Sequence, residues 1–176
     1  MKQIIAFAGS NSSKSINKQL VEYTTTLLER SKAHVLDLND FEMPIYSTDR
    51  EAENGYPEKA LDFVNLIRES DGIILSLAEY NGAYSGAFKN IFDWASRVEP
   101  KTFLGKPMLL MASSPGGRGG ASVLAMARDR FPRHDAQITG VFSLPSFHNN
   151  FKDGEISDVE LRAALNAEVK TFEDHL

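Results

Sequence analysis

Five short apolar runs recur along the chain, and segments with helical spacing separate them. The runs are QIIAFA (3–8), HVLDL (34–38), GIILSLA (72–78), KPMLLMAS (106–113) and QITGVFSL (137–144). Four of the five are almost continuously apolar, which is typical of parallel strands that are buried on both faces. The runs therefore predict five strands of one parallel sheet.

Between the runs, apolar residues recur three and four positions apart, which is the spacing of one buried helix face. The predicted faces comprise Leu20, Thr24, Leu27 and Leu28; Ala60, Phe63, Val64 and Ile67; Phe88, Ile91, Phe92 and Ala95; Val123, Leu124, Ala127 and Phe131; and Leu161, Ala164, Leu165, Glu168 and Phe172. A strand followed by a helix, repeated five times, predicts an α/β fold with helices on both faces of the sheet. Ligands of such folds bind at the carboxyl ends of the strands, so the strand-to-helix loops are the candidate sites.

The composition excludes several classes of function. The chain has a net charge of −5, which argues against non-specific binding to nucleic acid or to an anionic membrane. It contains no cysteine, so disulfides, Cys-ligated zinc and thiol nucleophiles are excluded. The four histidines have neither metal-ligand nor catalytic-triad spacing, and we predict no metal site.

The chain shows no linker and no internal repeat, so we expect residues 1–176 to form one domain. No apolar run approaches the ~20 residues that span a bilayer. The opening MKQIIAFAGSNSS has an apolar core that is too short for a secretory signal. These observations predict a cytoplasmic protein without a membrane span.

The loop after the first run, GSNSSKSIN (9–17), has the residue types that bind an anion. Hydroxyl, ammonium and amide groups are supplied by Ser10, Ser12, Ser13, Lys14, Ser15 and Asn17. A helix begins near Ser15, where free N–H groups and the positive end of the helix dipole favour an anion. The first turn contains no Asp or Glu. The loop predicts a phosphate site, and simple N-capping by serine is the alternative.

The pattern around this loop narrows the choice of phosphate ligand. The dinucleotide motif G-x-G-x-x-G is missing, because only Gly9 is present. Lys14 and Ser15 come one place too early for the Walker pattern, and the second glycine of that pattern is absent. No apolar strand ends in an acid that is placed for magnesium. A monophosphate fits best, and flavin mononucleotide (FMN) is the common ligand of this kind on a five-stranded parallel sheet.

The third run leads into LAEYNGAYSGAFKNIFDWASR (77–97), in which Glu79, Tyr80, Asn81 and Gly82 lie in the turn before the helix. Backbone groups of such a loop can bind the polar edge of a flat heterocycle while an aromatic side chain packs beside it. This predicts a flavin contact. Alternatively, Tyr80 is an ordinary loop aromatic residue.

The loop after the fourth run, SSPGGRGGA (113–121), is rich in glycine. The residues that we assign to a ligand are Ser113, Pro115, Gly116, Gly117 and Arg118. Glycines allow close backbone approach, and successive N–H groups can form an anion-binding concavity. Arg118 would meet the flavin, a nicotinamide-nucleotide phosphate or only solvent. A flexible turn is the alternative.

These motifs together resemble the NAD(P)H-dependent FMN reductases of the flavodoxin-like fold, which include quinone, azo and chromate reductases. Matches to the family pattern are GSNSSKSIN, Glu79-Tyr80-Asn81, Lys89-Asn90 and Asp93-Trp94. The resemblance implies a three-layer sandwich with strand order 2-1-3-4-5. It implies that Ser10, Ser15, Asn17 and the Ile16 amide hold the FMN phosphate, and that Glu79 to Gly82 border the flavin.

The chain also departs from the family pattern. Ser12 stands where the family usually has arginine, and Ala78 stands where proline is usual. Losing the arginine removes a charge-assisted contact to the phosphate that is typically worth ~1.5–3 kcal/mol. We expect Lys14 to replace part of that contact.

The resemblance implies an FMN-dependent NAD(P)H oxidoreductase. Hydride would pass from the nicotinamide to flavin N5 and on to a small acceptor such as a quinone or free flavin. The cofactor supplies this chemistry, so no catalytic side chain is predicted. The resemblance also implies a homodimer or homotetramer.

The long connection NDFEMPIYSTDREAENGYP (39–57) is either functional or a surface excursion. We expect its EMPIYSTD part (42–49), with Tyr46, to form a wall of the acceptor site. Two alternatives to the enzyme are a flavodoxin-like FMN electron carrier and a cofactor-sensing module without NAD(P)H turnover.

Overall fold

The five predicted strands form one parallel sheet in the computed structural model, which describes residues 1–176. The strands are β1 (Lys2–Gly9), β2 (Ser31–Leu36), β3 (Gly72–Leu77), β4 (Pro107–Ser113) and β5 (Gln137–Leu144). Their order across the sheet is β2-β1-β3-β4-β5, and all neighbouring strands are parallel. The predicted order 2-1-3-4-5 is confirmed.

Helices cover both faces of this sheet. They are α1 (Ile16–Thr26), α2 (Thr48–Asn54), α3 (Glu58–Glu69), α4 (Gly86–Val98), α5 (Ala121–Arg130) and α6 (Val159–Asp174), and one further helical turn spans Phe147–Asn150. One hydrophobic core of 27 buried residues lies under α3, α4 and α5, and a second core of 15 lies under α1 and α6. The flavodoxin-like three-layer sandwich is therefore confirmed.

The boundaries of some elements differ from the sequence pattern. Strand β2 begins at Ser31, three residues before the apolar run. Buried and exposed residues alternate along this edge strand, so its first residues do not form a continuous apolar run. Helix α1 ends at Thr26, so Leu27 and Leu28 lie beyond it. On α6, Ala164 is exposed and Glu168 is half-buried, although the predicted face included both residues. Val169, which the predicted face omitted, is buried.

The connection after β2 packs along the outer side of α4. It contains a 3-10 turn at Leu38–Phe41 followed by α2. Asn90 donates hydrogen bonds to the carbonyls of Met43 and Pro44, and Trp94 Nε1 donates to the same Pro44 carbonyl at 2.8 Å. The Asn90 and Trp94 positions of the family motif therefore hold this connection in place.

Two short hairpins lie outside the sheet, one at Glu79–Tyr80 with Ala83–Tyr84 and one at Phe151–Lys152 with Glu155–Ile156. None of the helices combines the length and the apolar character that crossing a bilayer demands.

Glu173 fastens the last helix to the turn that precedes β2. Its buried carboxylate accepts hydrogen bonds from the Arg30 amide at 2.9 Å, the Glu29 amide at 3.1 Å and the Ser31 hydroxyl. Burial alone would raise the pKa of Glu173, but these hydrogen bonds outweigh burial and lower the pKa below its usual value. The ionised carboxylate is therefore the form that stabilises the fold.

We predict that Glu173→Gln lowers the free energy of unfolding by about 1–3 kcal/mol near neutral pH, because a buried hydrogen-bonded carboxylate is lost. Since the folded-state pKa is lowered, this stabilisation is present above the unfolded pKa of about 4.3 and is lost as the pH falls. Urea unfolding at neutral and acidic pH measures the difference.

The control for this variant is Asp174→Asn, which changes an exposed carboxylate in the next position. We expect a change below about 0.5 kcal/mol for it, as for most surface positions. A Glu173→Gln variant that is as stable as the wild type at neutral pH would contradict the prediction.

Candidate functional site

The loops after β1, β3 and β4 meet at the carboxyl edge of the sheet and enclose a cleft of about 220 Å³. The predicted site residues that line it are Ser10, Ser12, Ser15, Ile16, Asn17, Glu79, Tyr80, Ser113 and Pro115, and Lys14, Ala78 and Ser114 complete the lining. The other predicted site residues, which are Asn81, Gly82, Gly116, Gly117 and Arg118, lie outside this lining. The three loops that the sequence predicts as sites therefore converge on one cleft.

Three serine hydroxyls in the first loop act only as acceptors within the protein. Ser10 Oγ accepts from the Ser12 amide at 3.1 Å, Ser12 Oγ from the Lys14 amide at 3.3 Å, and Ser15 Oγ from the Lys18 amide at 3.1 Å. None of these hydroxyls donates to a protein acceptor, so three O–H donors remain free at the cleft.

The start of α1 adds further donors. Ser15 is the N-cap of α1, and the first turn has no acidic residue. The amides of Ile16 and Asn17 have no acceptor in the protein, as expected for the first turn of a helix. Free amides at the positive end of a helix dipole favour an anion.

Two lysines near this loop differ in their availability. Lys18 pairs with Asp37 at 2.7 Å, and this hydrogen bond, together with two from Asn39, lowers the pKa of Asp37 to about 2. Lys14 is exposed and has no ion pair or hydrogen bond through its ammonium group. Lys14 is thus the basic side chain of this loop that is free to meet an anion.

The Asn17 side chain connects α1 to two strands. Its Oδ1 accepts from Ser76 Oγ at 2.7 Å and from the Ser113 amide at 2.9 Å, while Nδ2 donates to the Ser113 carbonyl at 3.2 Å. The residue is only 2% exposed. Its carboxamide is therefore engaged by the protein, and its backbone amide is the donor of this residue that stays free.

The loop after β3 is a hairpin. Tyr80 pairs with Ala83, and both residues of the connecting turn have positive φ, 52° at Asn81 and 75° at Gly82. Asn-Gly is the favoured pair for the type I′ turn, which needs φ above zero at both central positions. The turn chemistry explains these two residues, and the hairpin leaves Tyr80 55% exposed beside the cleft.

Hydrogen bonds hold the glycine-rich loop. The Gly116 carbonyl accepts from the Ser146 amide at 2.9 Å, and the Gly119 carbonyl accepts from Ser143 Oγ at 2.8 Å. A Cβ at Gly119 would lie 2.2 Å from Ser143 Oγ, so the close approach requires glycine. Arg118 is exposed and donates to Ser122 Oγ at 3.2 Å.

Glu79 joins the second loop to the third. Its Oε2 accepts from the Val123 amide, in the first turn of α5, at 2.9 Å.

Tyr46, by contrast, lines no part of the cleft, because its hydroxyl donates to Glu51 at 2.8 Å and its ring packs edge-on against Trp94.

Sequence reasoning did not find Ser76 or the hairpin, although both leave a signal. Ser76 is the one polar side chain in a strand that is otherwise apolar and wholly buried, and a buried hydroxyl needs a partner. The Asn-Gly pair is itself a hairpin signal. The volume of a cavity does not identify this site, because a larger groove of about 660 Å³ lies at the opposite edge of the sheet, beside Arg30 and Glu173.

Comparison with known proteins decides the family. Residues 2–149 match the family model described as NADPH-dependent FMN reductase. The chain belongs to this family. The resemblance of the sequence to this family is therefore confirmed.

Curated relatives of this FMN reductase family member include a quinone reductase of Escherichia coli K12, 38% identical over 80 residues, which are 46% of this chain and 43% of the relative. An NAD(P)H-dependent FMN reductase of Pseudomonas aeruginosa is 31% identical over 120 residues, 68% of this chain and 63% of the relative. The matches thus span less than two thirds of these relatives.

Among solved structures, FerB, a flavoenzyme NAD(P)H:(acceptor) oxidoreductase from Paracoccus denitrificans, has a TM-score of 0.76, 27% identity and 99% coverage of both chains.

We predict that Asn17→Ala destabilises the FMN-free protein by about 2–4 kcal/mol, because it leaves buried groups of Ser76 and Ser113 without partners. The midpoint of thermal unfolding should fall by roughly 2–4 °C per kcal/mol. Ser12→Ala is the control, since it removes only one hydrogen bond within an exposed loop. Equal midpoints for the two variants would show that the Asn17 network does not hold the cleft.

Proposed function

We propose that this chain binds FMN in the cleft and is an NAD(P)H-dependent oxidoreductase that reduces a small acceptor, such as a quinone or free flavin. The observation that carries the proposal is the set of donors without acceptors around the first loop. Three hydroxyls, the two amides of Ile16 and Asn17, and the Lys14 ammonium all lack an acceptor in the protein. A phosphate monoester has the acceptor oxygens and the charge that this set needs.

A phosphate monoester such as that of FMN can satisfy this donor set without a metal ion. No group of three or more His, Asp or Glu side chains is placed to hold a metal ion. Ser10, Ser12, Lys14, Ser15 and the first α1 amides would hold the phosphate. The hairpin with Tyr80 and the loop with Ser113, Pro115 and Gly116 would border the ring.

Bound FMN supplies the hydride chemistry, and the chain supplies binding, orientation and exclusion of water. No catalytic side chain is therefore part of the proposal. The acceptor class rests on family membership and on relatives that are named quinone reductase, NADPH azoreductase and 2-hydroxy-1,4-benzoquinone reductase.

We include oligomerisation in the proposal. The cleft of about 220 Å³ is smaller than the ~300–1,000 Å³ of typical ligand pockets. A second copy of the chain, in a homodimer or homotetramer, would cover the remainder of the ring. The proposal also takes residues 1–176 as one FMN-binding domain that acts in the cytoplasm.

The absorbance spectrum of the purified protein after addition of FMN and removal of unbound flavin tests this function. We expect flavin bands that bleach when NADH or NADPH is added without oxygen, and that return when a quinone is added. Bound flavin that neither nucleotide bleaches would favour an electron carrier. A protein that retains no flavin would contradict the proposal.

We predict that Ser15→Asp weakens FMN binding by about 100-fold or more, because a second negative charge at contact distance from the phosphate is repulsive even at an effective dielectric near 20. Aspartate is as good an N-cap as serine, so helix α1 and the fold should persist. Fluorescence titration with FMN measures the affinity, and circular dichroism follows the fold.

Ser47→Asp is the matched control for this prediction, because Ser47 caps α2 in the same way but lines no part of the cleft. We expect this variant to bind FMN like the wild type. An unchanged affinity of Ser15→Asp would mean that the phosphate does not lie at the start of α1.

A further inference from the structure

Helix α5 does not supply its own N-terminal cap. Its N-cap residue is Gly120, which has no side chain to accept a hydrogen bond, and the first turn contains no acid. Gly120 has φ of 77°, and a Cβ there would lie 2.7 Å from the Cβ of Ala112. The close approach to β4 therefore excludes the residues that normally cap a helix, namely Ser, Thr, Asp and Asn.

Glu79 provides the missing cap from a different loop. Its Oε2 lies 2.9 Å from the amide nitrogen of Val123, the third residue of α5. A carboxylate at this place satisfies a first-turn amide and interacts favourably with the positive end of the helix dipole. The residue is half-buried and also lines the cleft.

The cap lies at the far end of the glycine-rich loop, residues 114–120. The near end of this loop begins at Ser113, which is bonded to Asn17, and its far end runs into α5. Fixing the first turn of α5 therefore fixes the far end of the loop. Through Glu79, the loop and the β3 hairpin are held at one distance from each other, and the cleft lies between them.

The geometry points to Glu79 as a positioning residue that sets the width of the cleft by capping α5. This inference rests on the proposed function, because the ligand that the width serves is FMN. The Glu79 carboxylate also affects the electrostatics at this edge of the sheet. Its charge offsets the positive end of α5, whereas the first turn of α1 has no acid and stays free for an anion.

Three variants separate positioning from general stability. Glu79→Ala removes the cap, and Glu79→Gln keeps one carbonyl oxygen that can accept from Val123. Asp158→Ala is the matched control, because Asp158 caps α6 with a carboxylate oxygen 2.9 Å from the Leu161 amide and lines no part of the cleft.

The first measurement is amide hydrogen exchange in the FMN-free proteins, which tests the cap without any ligand. We expect the Val123 amide to exchange about fivefold faster or more in Glu79→Ala, as loss of a typical cap implies, and closer to the wild-type rate in Glu79→Gln. Equal protection of the Val123 amide in Glu79→Ala and the wild type would overturn the inference.

The second measurement is fluorescence titration with FMN. We expect the Kd to rise about five- to tenfold in Glu79→Ala, to recover to within about threefold of wild type in Glu79→Gln, and to stay unchanged in Asp158→Ala. A Kd in Glu79→Ala that equals the wild-type value, or that rises equally in Asp158→Ala, would overturn the positioning role.

The two proposals fail in different ways. A wild-type protein that binds no FMN contradicts the proposed function and, with it, the positioning of FMN by Glu79. A wild-type protein that binds FMN normally, beside a Glu79→Ala variant of equal affinity, contradicts the positioning role alone.

Discussion

One buried carboxamide, that of Asn17, connects helix α1 to strands β3 and β4 at the edge of the sheet where the three loops converge. A parallel sheet holds its strands by backbone hydrogen bonds, but these stop where the strands end. Beyond that edge, side chains must set the distances between loops. Asn17 does so by accepting from Ser76 and Ser113 and by donating to Ser113. The loop after β1 and the glycine-rich loop thereby acquire a fixed separation.

The polar groups around the cleft fall into two sets, and the division indicates what the cleft is for. Asn17, Ser76, Ser113 and Glu79 are paired within the protein and maintain its shape. The Ser10, Ser12 and Ser15 hydroxyls only accept, so their protons remain free. Ser10 and Ser15 are buried, whereas Ser12 is exposed. Because buried polar groups are normally satisfied, the Ser10 and Ser15 donors are the ones that a ligand acceptor would satisfy.

Much of the fold could be predicted from the sequence, because nearly continuous apolar runs in alternation with helical spacing permit few arrangements. The convergence of the loops followed from the rule that parallel strands present their carboxyl ends at one edge. What could not be predicted was which polar groups pair with each other. Ser76 and Asn17 are 59 residues apart, and Glu79 and Val123 are 44 apart, so no local pattern indicates either pair.

The two ends of the cleft differ in burial, and the proposed function assigns a different part of the cofactor to each end. Ser10, Ser15 and Asn17 are buried, whereas Tyr80 at the other end is 55% exposed. Binding free energy would therefore come mainly from the phosphate end, where the donors are preorganised. Lys14 supplies a flexible point charge there rather than the planar fork of an arginine, so the geometry of binding depends on the hydroxyls and the α1 amides. The exposed end, beside Tyr80, is where the proposed function would place the acceptor.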